Sequence, residues 1–144
     1  PDPPRHTYWF ELRASQVMVK EIASKEEFDK ILSESGEKLI VIDYTATWCG
    51  PCKSIAPEFE RLSNKYPNEI FIKVDVDKCK SVARAQGISA MPTFQLYRGG
   101  QKFFGFRGAS VGKLENSIQK FSAADAVPSD EMEDEGSMMG CTLL

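Results

Sequence analysis

Along the chain the spacing of apolar positions switches repeatedly between a strand period and a helix period. Val17, Val19 and Ile22 fit a short strand, and Ser24 with Glu27 forms a capping box that opens a helix ending near Gly36. Residues 39–45, Leu-Ile-Val-Ile-Asp-Tyr-Thr, are the apolar, β-branched run expected of a central strand covered on both faces. Cys52, Ile55, Phe59, Leu62 and Tyr66 recur at helical steps, a stripe that Pro57 should kink. Residues 70–76 read as another strand and 78–86 as a short helix stopped by Gly87. Residues 93–97 and 101–106 form a hairpin around Arg98-Gly99-Gly100, and Val111, Leu114, Ile118 and Phe121 a last helical stripe. The predicted order is βαβαβαββα: an α/β fold whose central mixed sheet has parallel crossovers, then an antiparallel hairpin, with helices on both faces.

A chain of 144 residues has room for one ordinary domain. With 42% hydrophobic and 27% charged residues it can bury a sizeable core. It contains no run of eighteen apolar residues, which excludes a membrane-spanning helix of the usual kind. Charge divides the chain. Residues 18–121 hold 16 Lys and Arg against 13 Asp and Glu, whereas 122–144 hold six acids and no base. The basic residues are scattered instead of gathered on one helix or ribbon, so the footprint of a nucleic-acid binder is missing.

The chemistry concentrates in Trp48-Cys49-Gly50-Pro51-Cys52, between a predicted buried strand and a predicted helix. Cys49 falls at the helix N-terminus, where unpaired N–H groups and the positive dipole end favour a thiolate, which makes it the candidate nucleophile. Cys52 is one turn along the same helix, within disulfide reach and shielded by its place in the apolar stripe: the candidate resolving thiol. C-x-x-C is also half of a zinc site, but the remaining Cys79, Cys141 and His6 are widely separated singles, while Pro51 at a helix start fits the redox context. No metal is expected.

Asp43 shares a strand face with Leu39 and Val41, so a covered sheet buries it and desolvation should raise its pKa. A buried carboxyl behind the C-x-x-C can exchange a proton with Cys52; the alternative is a structural acid paired with Lys73 on the next strand. Pro92 opens a strand after Ala90-Met91, a plain strand boundary or a cis peptide that turns main-chain groups of Ala90 and Met91 toward Cys49 and an extended substrate.

Taken together, Asp43, Trp48 to Cys52, Lys53, Pro57, Val74-Asp75-Val76-Asp77, Met91-Pro92-Thr93 and Gly108-Ala109 resemble the thioredoxin family, of the cytosolic eukaryotic type, over about residues 18–121. The resemblance implies the thioredoxin fold, a cis Pro92, and Asp43 buried behind the cysteines. It implies a substrate surface from Trp48, Gly50, Pro51, Ala90, Met91, Pro92 and Gly108, with no cofactor bound beyond a redox-active Cys49–Cys52 disulfide. It further implies disulfide-containing protein substrates, electrons from NADPH through a flavoprotein thioredoxin reductase, and a cytoplasmic location. Tyr44 and Thr45 depart from the aromatic pair or Phe-Ser commoner in that family. Ala90 stands where animal members often carry a cysteine, so a disulfide dimer is not expected there and the chain is expected to be monomeric. Cys79 reads as a buried small hydrophobe.

The activity expected is protein disulfide reduction by thiol–disulfide exchange; the alternative is a binding module gated by oxidation of the same pair. Gly50-Pro51 lacks the histidine of disulfide isomerases, which disfavours an oxidase or isomerase. The flanks lie outside the resemblance. Residues 1–17 lack the apolar stretch of an export signal and read as a disordered leader, with Met18 a natural start. Residues 122–144 read as a disordered acidic tail. It ends in Cys141-Thr142-Leu143-Leu144, either a chance match or a C-a-a-X pattern that would direct geranylgeranylation of Cys141 and a weak membrane association, although Thr142 is not aliphatic and an anionic surface would repel the acids upstream.

Overall fold

A computed structural model describes residues 19–122 and the pair 141–142. The sequence readings for residues 1–18 and 123–140, and for Leu143 and Leu144 of the C-a-a-X pattern, fall outside the described residues. The elements are β1 (Val19–Ile22), α1 (Lys25–Glu34), β2 (Ile40–Thr45), α2 (Gly50–Lys65), β3 (Ile70–Asp75), α3 (Lys80–Ala85), β4 (Ala90–Met91), β5 (Thr93–Arg98), β6 (Gln101–Arg107), α4 (Val111–Ser122) and β7 (Cys141–Thr142). Five strands form one sheet in the order β1-β3-β2-β5-β6. β1, β3 and β2 run parallel, and β5 and β6 add antiparallel. This is the expected mixed sheet with β2 at its centre.

Burial on both faces follows from the alternation along β2. Ile40, Ile42 and Tyr44 pack with Phe28 and Ile31 of α1 and Val82 of α3, whereas Leu39 and Val41 pack with Ile55, Phe59 and Leu62 of α2 and Leu114, Ile118 and Phe121 of α4. Each face therefore has its own core, and every residue of β2 is buried. The oxygen that Tyr44 adds at this site is satisfied, since its hydroxyl donates to Gln95 Oε1 at 2.9 Å.

Local rules explain where the helices start and stop. Ser24 accepts the Glu27 N–H at 3.2 Å, and the Glu27 carboxylate accepts the Ala23 N–H at 3.1 Å, one residue further back than in a standard capping box. Ser24→Ala should cost about 1 kcal/mol of stability, read as a lower midpoint of urea unfolding with unchanged slope. α2 continues to Lys65 through Pro57. Pro57 and Lys53 are both exposed, so the Lys53 carbonyl that loses its helical donor faces solvent. α3 is shorter than its sequence suggests because Asp75 Oδ1 accepts the N–H groups of Asp77 and Lys78, holding them in a turn. The β5–β6 turn needs two left-handed residues in succession, which Gly99 (φ 60°) and Gly100 (φ 78°) supply.

β4 and β7 have no counterpart in the hydrophobic pattern. They pair antiparallel as a separate two-stranded sheet, Ala90 opposite Thr142 and Met91 opposite Cys141.

Candidate active site

The buried strand β2 delivers the chain to the start of α2, and Cys49 is that helix's N-cap, with φ −88° and ψ 112°. Its Sγ accepts the Cys52 N–H at 3.3 Å. One of the donors left unpaired at a helix start is thus already aimed at this sulfur. Gly50 and Pro51 fill the first turn, where the N–H that proline lacks would have no helical partner. Cys49 and Cys52 are joined as a disulfide, their Cα atoms 5.3 Å apart. Cys52 is 2% exposed, in accord with its place in the stripe, but Cys49 is 0% exposed and no more accessible than its partner.

Met91–Pro92 is a cis peptide bond, and Met91 O lies 3.7 Å from Cys49 Sγ. The N–H of Gly108, a residue at φ 103°, donates to Pro92 O at 2.9 Å and ties the end of β6 to this segment. Ala90 is half-buried and its carbonyl accepts the Thr93 hydroxyl at 2.6 Å. Trp48, Cys49, Met91, Pro92 and Gly108 thus converge at one end of the sheet. Cys141 is brought there by backbone pairing alone, through β7.

Trp48 is half exposed, an unusual position for so large an apolar ring, and its indole N–H donates to Asp77 Oδ2 at 2.8 Å. Asp77 belongs to the family pattern, and this bond gives it a role. A signal for one exists: β2 and β3 are parallel neighbours with Thr45 opposite Asp75, so the loops that follow them leave the same sheet edge side by side. Asp77→Ala should free the indole and lower kcat/KM for a disulfide-containing peptide roughly fivefold, the equivalent of one net hydrogen bond of about 1 kcal/mol. Asp77→Asn, which keeps the acceptor oxygen, should restore most of it.

Asp43 is 1% exposed and its Oδ1 has no hydrogen-bond partner. Burial raises its pKa from 3.8 to about 7, against the charge of Lys73, which pulls it down. Lys73 stands opposite Asp43 in the β2–β3 register. An open cleft lined by Thr45, Cys52, Ala56 and Lys73 reaches Cys52 from this side. Among the described residues, no three His, Cys, Asp or Glu side chains gather as a metal-ligand set. Cys79 is free and buried, and burial pushes its thiol up. No described helix is long and apolar enough to cross a membrane.

The family model described as Thioredoxin matches residues 19–120. Thioredoxin of Callithrix jacchus is 51% identical over 104 residues, covering 72% of this chain and 99% of that protein. Thioredoxin of Mus musculus is 51% identical over 105 residues, 73% of this chain and 100% of that protein. Among solved structures, the reduced Schistosoma mansoni thioredoxin pre-protein superposes with a TM-score of 0.69 at 48% identity, covering 72% of this chain and 97% of that one. Plasmodium falciparum thioredoxin gives 0.68 at 41% identity, covering 71% and 98%.

Proposed function

Because the chain belongs to the thioredoxin family and is a protein-disulfide oxidoreductase working through a redox-active Cys49–Cys52 pair, we propose that residues 18–121 carry the complete reductase, with Cys49 as nucleophile and Cys52 as resolving thiol. The observation that carries this assignment is the Cys52 N–H directed at Cys49 Sγ from the first turn of α2. A hydrogen bond to the charged form lowers a thiol's pKa, and the helix dipole adds to it, so reduced Cys49 ionises ahead of Cys52. Its thiolate attacks one sulfur of a substrate disulfide and expels the other as a thiolate. Cys52 then attacks Cys49 in the mixed disulfide, the second substrate sulfur leaves, and the Cys49–Cys52 bond closes.

Asp43 is the proton carrier in this reading. With a pKa of about 7 it is divided between acid and carboxylate at neutral pH, so it can take the Cys52 proton during resolution and return it when the pair is reduced. The open cleft lined by Cys52 and Lys73 gives solvent access to the resolving thiol from the Lys73 side. Trp48, Gly50, Pro51, Ala90, Met91, Pro92 and Gly108 form the surface on which a substrate peptide lies, pairing as an added strand with the main-chain groups of Ala90 and Met91. The electrons come from NADPH through a flavoprotein thioredoxin reductase, and the protein works as a cytoplasmic monomer.

Reduction of insulin in the presence of NADPH and a flavoprotein thioredoxin reductase tests this reading. Turnover that requires all three components is expected. A protein that leaves insulin intact, or whose Cys49–Cys52 potential stands near the ~−120 mV of a strong oxidant, contradicts it.

A further inference from the structure

The edge assigned above to substrate peptide already carries a strand. β7 pairs antiparallel with β4, and its register sets Cys141 opposite Met91. Met91 O is the main-chain atom 3.7 Å from Cys49 Sγ. Directly opposed residues of an antiparallel pair have Cα atoms about 4.5–5.5 Å apart, so a cysteine enters the chain beside the reactive pair, where the cysteine of an extended substrate would stand. Cys49 and Met91 are each 0% exposed. A nucleophile acting on other proteins has to be reachable, so this is a closed arrangement.

We propose that the C-terminal segment is a built-in substrate of this same site: it adds as a strand to Ala90–Met91, competes with incoming peptides, and exchanges through Cys141 with the Cys49–Cys52 disulfide. The inference rests on the peptide-edge reading of β4. The Cys141 thiolate attacks Cys49 Sγ; the Cys49–Cys52 bond breaks as a Cys49–Cys141 bond forms. Cys52 leaves as a thiolate and takes up the proton that Cys141 released to solvent. The step is an isomerisation, with no net oxidation and no outside oxidant.

Chain length permits the contact. Residues 123–140 separate α4 from β7, and eighteen residues can span up to about 60 Å, more than the roughly 35 Å width of a domain of this size. Charge favours it as well, since 122–144 carry six acids and no base whereas 18–121 have three more bases than acids. Tethering makes the encounter intramolecular, so a weak strand contact suffices. A geranylgeranyl thioether at Cys141 would exclude the exchange.

The full-length Cys52→Ser protein, treated with oxidised glutathione and digested without reduction, reads the covalent step by mass spectrometry. The expected product links the Cys49 and Cys141 peptides, in a yield independent of protein concentration, because Cys141 displaces glutathione from Cys49. Full-length Thr142→Pro reads the docking: a proline in the two-residue β7 should weaken the β4–β7 pairing and lower the KM for insulin severalfold. Cys49 left as its glutathione adduct, or a KM equal to that of the unaltered chain, overturns the inference. Absence of insulin reduction by both the unaltered chain and Thr142→Pro would instead sink the reductase reading beneath it.

Discussion

Cys49→Ser should reduce insulin at least about 10³-fold more slowly than the unaltered chain, with the fold intact. A serine hydroxyl is not ionised near neutral pH, and the Cys52 N–H that stabilises a thiolate cannot make up so large a difference in acidity. Cys52→Ser should fail differently. Its Cys49 still attacks, but nothing resolves the mixed disulfide, so one equivalent of substrate stays covalently attached and turnover stops. Electrophoresis without reductant separates the two behaviours: no adduct with Cys49→Ser, an adduct that disappears on adding dithiothreitol with Cys52→Ser. Equal turnover by Cys49→Ser and the unaltered chain would remove Cys49 from the chemistry.

The second large effect concerns stability and runs opposite to most core substitutions. Asp43 has a folded-state pKa of about 7 against an ordinary 3.8, so between these values the native protein holds a proton that the unfolded chain has lost. Stability then falls as pH rises from about 4 to about 7, and levels off above. Three pKa units correspond to about 4 kcal/mol. Asp43→Asn keeps the size and polarity of the neutral acid without the ionisation. It should therefore be more stable than the unaltered chain by about 2–4 kcal/mol at pH 8, with the difference closing near pH 4, as read from urea unfolding at the two pH values. The same change should slow resolution by about 10²-fold, the usual contribution of a positioned proton carrier. A variant no more stable at pH 8 than at pH 4, relative to the parent, would show that Asp43 is ionised without penalty. A structural acid held by Lys73 would behave in that way.

What the chain discloses in advance is whatever repeats. The seven-residue apolar run ending at Thr45, the stripe from Cys52 to Leu62 and the Gly99-Gly100 turn each repeat one physical demand over several positions, and each appears where the pattern puts it. Asp43 was legible for the opposite reason, as the one acid in an apolar run, which the sheet then buries. Two features were not legible. Asp77 holds Trp48 through a single hydrogen bond between loops that meet only because β2 and β3 are parallel neighbours. The β4–β7 pairing joins two-residue segments fifty positions apart, too short for any period to show. The full burial of Cys49 was not legible either, since the apolar stripe accounts only for the shielding of Cys52.

The most direct test of the central claim is the pH dependence of thiolate absorbance near 240 nm in the reduced protein, compared between the unaltered chain and Cys49→Ser. The transition lost on that substitution should be centred at or below about 7.5, within the range of cysteines at helix N-termini. A transition near the ~8.5 of an unstructured cysteine would show that the first turn of α2 does nothing for this sulfur.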